Sequence, residues 1–446
     1  MDRVPQTEPA ASQSRTSTAS PPAVVGSFTS GTGRLSRGLA AVSSAAGAQA
    51  TQSAAGFAVA LLAAHTLGIE ALGLFSILYG ALILAAGITS GFVGDSLLVL
   101  DRHAAEIRAG LAAWFAVLAT AIAVAAFITG WLSGVLSVSG ALVFAAAAAA
   151  YIAEDLIRRN LMAVLAFHRI IWMDLLVLAV TVVVALGFLT VGYRGLIFVL
   201  GAVTVGQLAG MLFGWYLLPR SERRGVHRPI AWGPVARYGI WRAALQALRP
   251  GQLTGARLLV TGALTLAAAG ALEAARIYAA PAMLLVSGVC SYLFASLAVR
   301  QEQSLATALA FTDRAVRYLL LAALVCGVLG MVLLPVAGEL ITGRQPVALT
   351  VLGWLGYAMA VAVATPYGLL AAVRHRARAV FTIRALDSAL CLVLVAVAAF
   401  VLREVTLVPW AAAIGALAGG LSIRGFVLVP LVRAEDTSPA MAGDRP

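Results

Sequence analysis

The chain has 446 residues, of which 61% are hydrophobic and only 11% are charged, and its mean hydropathy is +0.95. Soluble domains carry about 25% charged residues, so the composition excludes a soluble globular protein and predicts an integral membrane protein. The net charge of +12 comes from arginine, because the sequence contains no lysine. Most arginines lie between apolar runs, where basic residues set membrane topology. We therefore expect no nucleic-acid partner.

The first 33 residues are rich in Ser, Thr, Ala, Pro and Gly. They have too few large apolar side chains to form a core, and we expect a disordered cytoplasmic tail. Twelve apolar runs follow, each of about 20 residues or more and so long enough to cross a bilayer. They cover residues 38–66, 71–99, 109–134, 139–163, 170–192, 196–218, 237–265, 272–299, 314–342, 347–373, 380–402 and 406–432.

The longest internal connection, residues 220–236, is polar and separates the first six runs from the last six. The sequence therefore predicts an all-α polytopic membrane protein, with twelve transmembrane helices in two six-helix halves around a central cavity. The halves cover residues 34–219 and 237–433, and residues 434–446 form a second cytoplasmic tail. Two similar segments, which begin Ala71-Leu72 and Ala271-Leu272, indicate an internal repeat.

The connections between the runs alternate between arginine-rich and arginine-poor. Arginine is frequent before the first run and after each even-numbered run, and sparse after the odd-numbered runs. Because basic connections stay on the cytoplasmic side, we expect a multi-pass cell-membrane protein with both termini in the cytoplasm.

The seventh run is unusual because it carries arginine inside a membrane-length stretch. Arg242, Arg249 and Arg257 lie along the segment 237–266. A charge near the bilayer centre costs about 2.5–3.5 kcal/mol or more, so Arg249 should face a hydrated cavity or a partner. Pro250 and Gly251 follow it directly and favour a kink. Arg242 lies close enough to the helix end to act as an interfacial anchor instead.

Other polar residues complete a predicted substrate-binding site around Arg249. Guanidinium groups bind phosphate through two parallel hydrogen bonds, so the cationic helix favours a lipid-linked pyrophosphate as ligand. An alternative role for Arg257 and Arg276 is an ion pair with Glu273. The predicted substrate-binding residues are Arg249, Arg257, Arg276, Gln246 and Gln252 in the second half, with Gln49 and Gln52 from the first.

The segment from Thr66 to Ser76, TLGIEALGLFS, precedes a span of small residues that ends at Asp95, and Arg102 follows that span. This pattern resembles the polysaccharide-flippase branch of the multidrug/oligosaccharidyl-lipid/polysaccharide exporter superfamily. The resemblance implies a flippase that moves a polyprenyl-pyrophosphate-linked sugar or a related precursor through the membrane lipid by alternating access. Partners would include polysaccharide synthesis or polymerisation proteins.

Two alternatives remain open. One is a cation-coupled multidrug exporter of the same superfamily, which would rely on deep carboxylates. The other is a membrane-embedded glycosyltransferase or polymerase. We expect no enzyme, because the short predicted outer connections are too poor in carboxylates to build a catalytic loop.

No cofactor or metal is expected, since Cys290, Cys326 and Cys391 sit in apolar runs without metal-ligand spacing. Coupling to a proton or sodium gradient would need an intramembrane acid. Asp387 is the coupling-ion candidate, although Arg384 could pair with it at i,i+3. Asp95, Glu154, Asp155 and Asp174 are further acids, and we expect ion pairs for Glu154 and Asp155 with the nearby Arg158 and Arg159.

Overall fold

Twelve long helices make up most of the residues that the computed structural model describes, which are 32–223, 230–299, 303–342 and 345–437. No strand occurs in these ranges, so the predicted all-α fold class is confirmed. The predicted tails and linker lie partly outside them, at residues 1–31, 224–229 and 438–446. The helices are α1 Thr32–Thr66, α2 Ile69–Val99, α3 Ala105–Leu132, α4 Val138–Ala163, α5 Phe167–Thr190, α6 Leu196–Leu217, α7 Trp232–Ala263, α8 Leu266–Val299, α9 Leu305–Thr342, α10 Ala348–Val373, α11 Ala377–Val401 and α12 Val405–Glu435.

Ten of these helices are long and apolar enough to cross a membrane by length and composition. The other two are α1 and α7, whose polar and charged residues lower their hydropathy. Each is the first helix of its six-helix half. The same position in both halves thus carries the polar helix, and the candidate site is built around these two elements.

The turns between α4 and α5 and between α10 and α11 have the same backbone geometry. Each is three residues long with a left-handed middle residue, Leu165 (φ 57) in the first turn and His375 (φ 60) in the second. The next residue donates its N–H into the preceding helix end, at 2.9 Å from Ala166 and 3.0 Å from Arg376. This closure is a Schellman-type helix end, and its repetition supports an internal repeat.

Helices α2 and α8 cross at two glycines that belong to different halves. A Cβ on Gly73 would lie 2.1 Å from the carbonyl oxygen of Leu266, and a Cβ on Gly270 would lie 1.8 Å from that of Ile69. The contact is reciprocal, because Ile69 and Leu266 are the first residues of the two helices. The structure therefore matches Gly73 with Gly270, one helical turn away from the Ala71 and Ala271 match in the sequence.

Helices α2 and α7 form the second close contact between the halves. A Cβ on Gly91 would lie 2.5 Å from the carbonyl oxygen of Arg242, and one on Gly239 would lie 2.6 Å from that of Phe92. In α2 this contact includes a π-helical segment, Ser90–Gly94. Small residues allow such close approach of helix backbones, so α2 packs against both α7 and α8.

Candidate functional site

Arg249 lies near the middle of α7 and its side chain is exposed. Its guanidinium carbon is 5.9 Å from the ring centroid of the buried Tyr357. Within the described ranges no carboxylate lies within 4.0 Å of its guanidinium nitrogens. An arginine at this depth requires water or an anionic partner, so Arg249 is placed to receive one.

Arg384 on α11 supplies a second guanidinium within electrostatic range of Arg249. It lies 3.3 Å from the Asp387 carboxylate and donates a 2.9 Å hydrogen bond to the backbone carbonyl of Ala364. Asp387, the coupling-ion candidate, therefore has an intrahelical cationic partner. Its assignment as a coupling site stays a prediction.

Arg257 and Arg276 are brought together by one buried carboxylate, that of Glu273. Arg257 Nη2 lies 3.0 Å from Glu273 Oε2, and Arg276 Nε donates to Oε1 at 2.9 Å. Two guanidinium groups share one carboxylate, so the cluster keeps an excess positive charge. A Cβ on Gly80 of α2 would lie 2.6 Å from Arg257 Nη1, which shows that Arg257 reaches across to the first half.

Gln246 and Arg242 meet Asp95 of α2. Arg242 Nη2 lies 2.6 Å from Asp95 Oδ2, and Gln246 Nε2 donates to the same oxygen at 3.4 Å. Arg242 is therefore part of an ion pair between the halves, and Gln246 is directed to that pair. Neither residue is placed beside Arg249 by these contacts.

The remaining predicted glutamines lie in two separate places. Gln252 is buried and accepts a 3.1 Å hydrogen bond from the Ser388 hydroxyl on α11. Gln49 donates to Gln52 along α1 at 3.4 Å. Gln52 lines a pocket inside the first half, so the structure does not bring the predicted site residues into one cluster.

That pocket has a volume of about 60 Å³, room for an ion with a few water molecules. Glu154 and Asp174 are its two carboxylates, and both are buried. Arg158 lies 3.4 Å from Asp174, whereas no basic group lies within ion-pair distance of Glu154 among the described residues. Five helices provide the polar lining of the pocket: Gln52 of α1, Tyr79 of α2, Tyr151 and Glu154 of α4, Asp174 and Thr181 of α5, and Gln207 of α6.

Two oxygen atoms around this pocket lack a hydrogen-bond donor among the described residues. Asp174 Oδ2 and Gln207 Oε1 are buried and accept no hydrogen bond from any part of the chain that the structure describes. Oxygen acceptors without donors are the environment that a hard cation or a proton requires. The described residues contain no group of three or more His, Cys, Asp or Glu side chains that could hold a metal ion.

The helix pairs α5 with α6 and α11 with α12 use the same packing. In each pair, a Cβ built on a glycine of the second helix would lie 2.9 Å from a backbone carbonyl oxygen of the first helix. The same Cβ would also contact the side chain one turn later in the first helix. The equivalent sets are Val177, Thr181 and Gly206 in the first half and Asp387, Cys391 and Gly415 in the second.

This equivalence matches acidic or amide residues in the first half with basic residues in the second. Asp174 lies three residues before Val177 in α5, and Arg384 lies three residues before Asp387 in α11, so Asp174 corresponds to Arg384. Counting back from the ends of α1 and α7 at Thr66 and Ala263, Gln52 corresponds to Arg249. The first-half pocket therefore contains a carboxylate and an amide at positions where the second half carries guanidinium groups.

Sequence reasoning did not select Tyr79, Tyr151 or Arg384 as site residues. Tyr151 and Glu154 share one helix face at i,i+3, which is a local signal that could have joined them. Arg384 was recognised only as a partner for Asp387, because its position beside Arg249 depends on tertiary packing.

No family model and no curated protein sequence matches this chain. Solved structures do. A multidrug resistance MATE family transporter of the MOP superfamily, in an inward-facing conformation, has a TM-score of 0.68 at 14% identity, covering 87% of this chain and 96% of its own. A eukaryotic MATE transporter has a TM-score of 0.64 at 12% identity, covering 90% and 98%.

A third similar structure is a MOP superfamily transporter from Pyrococcus furiosus, for which a reversed polarity of the binding pocket is described as suggesting a different function. Its TM-score is 0.60 at 14% identity, covering 90% of this chain and 96% of its own. The chain therefore has the fold of MATE transporters of the MOP superfamily. That is the superfamily the sequence resembles, and its polysaccharide-flippase branch is not among these three structures.

Proposed function

We propose that this chain is a membrane transporter that works by alternating access and moves an anionic, amphiphilic substrate. The observation that carries the proposal is the exposed Arg249 in the middle of α7, which has no carboxylate partner among the described residues. The fold supports transport, since MATE structures are described in both inward-facing and outward-facing conformations. The structures compared above are described as transporters, which favours transport over an enzyme.

Among the candidate kinds of transporter, the fold best supports a multidrug exporter. Two of the similar structures are described as multidrug resistance transporters. Arg249 and Arg384 would disfavour organic cations by charge repulsion and would favour acidic amphiphiles. For the Pyrococcus furiosus transporter, a binding pocket of reversed polarity is described as suggesting a different function.

A lipid-linked oligosaccharide is the second candidate, and the arginines favour it. A pyrophosphate linkage carries negative charge that a guanidinium fork can bind through two hydrogen bonds. Arg249 and Arg384 would hold the pyrophosphate while the polyprenyl chain stays in the membrane lipid. Polysaccharide synthesis or polymerisation proteins would be the partners of such a flippase, with both termini of the chain in the cytoplasm.

For energy coupling we propose the first-half pocket as the site of a proton or sodium ion. Glu154 lacks an ion-pair partner among the described residues, and the same space is bordered by Gln207 and by Asp174, whose carboxylate lies 3.4 Å from Arg158. Binding a cation there would neutralise carboxylates that are costly to bury as charges. Asp387 remains the alternative coupling residue, but Arg384 already offsets its charge.

The proposal is tested with the full chain in proteoliposomes. Arg249→Gln should lower transport of a fluorescent polyprenyl-pyrophosphate-linked sugar, or of an anionic amphiphilic dye, by at least about tenfold, since a charge-assisted hydrogen bond contributes about 1.5–3 kcal/mol. Arg249→Lys should keep part of the activity, because it retains the charge without the fork. Arg194→Gln, at an exposed loop position, is the matched control.

The two substrate classes separate in the same assay. Transport of the lipid-linked sugar without the dye supports the flippase, and transport of the dye without the sugar supports the exporter. Uptake of an organic cation that is indifferent to Arg249→Gln would contradict the anionic substrate.

A further inference from the structure

Helix α10 carries two tyrosines that each lie beside an arginine from another helix. The ring centroid of Tyr357 is 5.9 Å from the guanidinium carbon of Arg249, and the ring centroid of Tyr367 is 5.8 Å from that of Arg424. Both tyrosines are buried, with 4% and 5% of their surface exposed. They lie about 15 Å apart along the helix axis. One helix therefore presents the same pair of side chains at two levels.

The pair formed by Tyr367 and Arg424 is completed by a carboxylate, that of Asp313 on α9. Arg424 Nε donates to Asp313 Oδ1 at 3.0 Å, and Arg424 Nη2 donates to Oδ2 at 2.8 Å. The Tyr367 hydroxyl donates to the same Oδ1 at 2.7 Å. Two parallel hydrogen bonds from a guanidinium to one carboxylate are strong and fix its orientation. The Asp313 carboxylate is thus held by an arginine fork and a tyrosine hydroxyl together.

The pair formed by Tyr357 and Arg249 has no such carboxylate in the described ranges. Neither side chain donates to an Asp or Glu there. The tyrosine is nevertheless fixed in place, because Trp354 packs edge-on against its ring with the centroids 5.7 Å apart. Trp354 Nε1 in turn donates to the Leu272 carbonyl of α8 at 3.0 Å. This pair therefore has the donors of the other pair without its anion.

Arg384, the second guanidinium of the proposed site, is already engaged by acceptors of the protein. Its Nη1 donates to Asp387 Oδ2 at 3.3 Å, and its Nη2 donates to the Ala364 carbonyl at 2.9 Å. Arg384 therefore adds positive charge, whereas Arg249 is the guanidinium whose fork no carboxylate of the described residues occupies.

We propose that the anionic group of the substrate binds at Arg249 as the Asp313 carboxylate binds at Arg424, with the Tyr357 hydroxyl as a further donor to it. This inference rests on the proposed function, because it adds a binding residue to the same anion site. The group is an oxyanion with at least two oxygen atoms on one centre, bound by the fork of Arg249 and by the phenol hydroxyl. A phosphate and a carboxylate both have this chemistry.

The test measures binding of inorganic pyrophosphate and of succinate to the purified full chain in lipid nanodiscs. The probe that binds more tightly identifies the head group as phosphate or carboxylate, and all variants are compared with that probe. Tyr357→Phe keeps the buried ring and removes only the hydroxyl. It should weaken binding by about tenfold or more, because a hydrogen bond to a charged group is lost.

Tyr367→Phe is the matched control, since Tyr367 lies on the same helix, is equally buried and is equally close to an arginine. Its hydroxyl is directed to Asp313, so this variant should change the affinity for the probe by less than about twofold. Asp313→Ala gives a second test, because it removes the carboxylate from the pair formed by Tyr367 and Arg424. The variant should show a second binding event that the unmodified chain lacks.

The outcomes separate this inference from the proposed function. Affinity that Arg249→Gln weakens and Tyr357→Phe leaves within about twofold would overturn the role of Tyr357 alone. Binding that neither variant weakens would refute the anion site, and with it this inference. Absence of a second binding event in Asp313→Ala, at an unchanged unfolding midpoint, would show that such a pair does not bind a free oxyanion and would also overturn the inference.

Discussion

The two halves of the molecule share a backbone plan but carry different charges at two equivalent positions. The turns at Leu165 and His375 have the same geometry. Around them, Asp174 of the first half is matched by Arg384 of the second, and Gln52 is matched by Arg249. The packing contacts of the two halves are therefore alike, whereas the charges near them differ.

This difference gives each half a separate role in the proposed transport cycle. The first half offers carboxylate and amide oxygens in a pocket, suited to a small cation. The second half offers guanidinium groups, suited to a phosphate or carboxylate. A transporter that couples a cation to an anionic substrate needs both sites, and in the proposed function the two halves provide one each.

The largest effect is expected where the halves differ most, at Glu273. Glu273→Gln would leave two arginines without a compensating charge, and breaking a buried ion pair costs about 3–5 kcal/mol. The equivalent first-half residue is Ser76, whose hydroxyl donates to the Gly73 carbonyl at 2.8 Å. Ser76→Ala should cost about 1 kcal/mol.

The measurement for this pair is the free energy of unfolding in mixed micelles, followed by circular dichroism. Equal losses for Glu273→Gln and Ser76→Ala would show that the charge at Glu273 contributes little. That result would weaken the contrast between α2 and α8.

An intermediate effect is expected where the halves are alike, at the α2 and α8 crossing. Gly73→Ala and Gly270→Ala both insert a methyl group against a backbone carbonyl, and overpacking of this kind costs about 1–3 kcal/mol. The two losses of unfolding free energy should be similar, because the contact is reciprocal. Gly187→Ala, a helix position where a Cβ meets nothing within 4 Å, should be neutral or stabilising by about 1 kcal/mol.

A strong loss from only one of the two crossing variants would indicate that the contact is not symmetric. It would also argue against matching the halves at these glycines. The same micelle titration distinguishes these outcomes.

The smallest expected effect tests the charge reversal itself. Arg384→Gln should weaken pyrophosphate binding by about 5- to 30-fold, the equivalent of about 1–2 kcal/mol from loss of one guanidinium. Asp174→Asn, at the matching position of the first half, should change pyrophosphate affinity by less than about twofold and should reduce its dependence on pH or sodium. Calorimetry on nanodiscs measures both.

A comparable loss of affinity in both variants would mean that the two positions do not divide cation and anion binding. The control for misfolding is the unfolding midpoint of each variant. Both side chains take part in ion pairs, with Asp387 and Arg158, so modest and similar destabilisation is expected from each.

Much of the fold was predictable because helix formation in a membrane depends on local composition. The twelve apolar runs correspond to the twelve helices, including α7, which the arginines remove from a hydropathy-based selection. The sequence predicted the alignment of the two halves less well than it predicted the helices. Ala71-Leu72 and Ala271-Leu272 look alike in sequence, yet the reciprocal carbonyl contacts match Gly73 with Gly270, since backbone approach depends on where small residues meet.

The residues of the candidate site also differ in whether the sequence alone could predict their role. Arg249 could be singled out from the sequence, because a charge in the middle of a membrane-length run is costly wherever the chain folds. The ion pairs of Arg257 and Arg276 with Glu273 were foreseen only as an alternative to substrate binding. The pairs of Gln246 with Asp95 and of Gln252 with Ser388 were not foreseen, since the partners are far apart in the chain.

The sequence by itself determined that this is an all-helical membrane protein with an arginine inside a membrane-length helix that requires an anion, water or a carboxylate. Both conclusions follow from the cost of placing charge or unpaired backbone groups in hydrocarbon. Only the tertiary structure decided which arginines are already paired. It also placed Glu154 with Asp174 in one pocket, because this relation depends on helices that are adjacent in space.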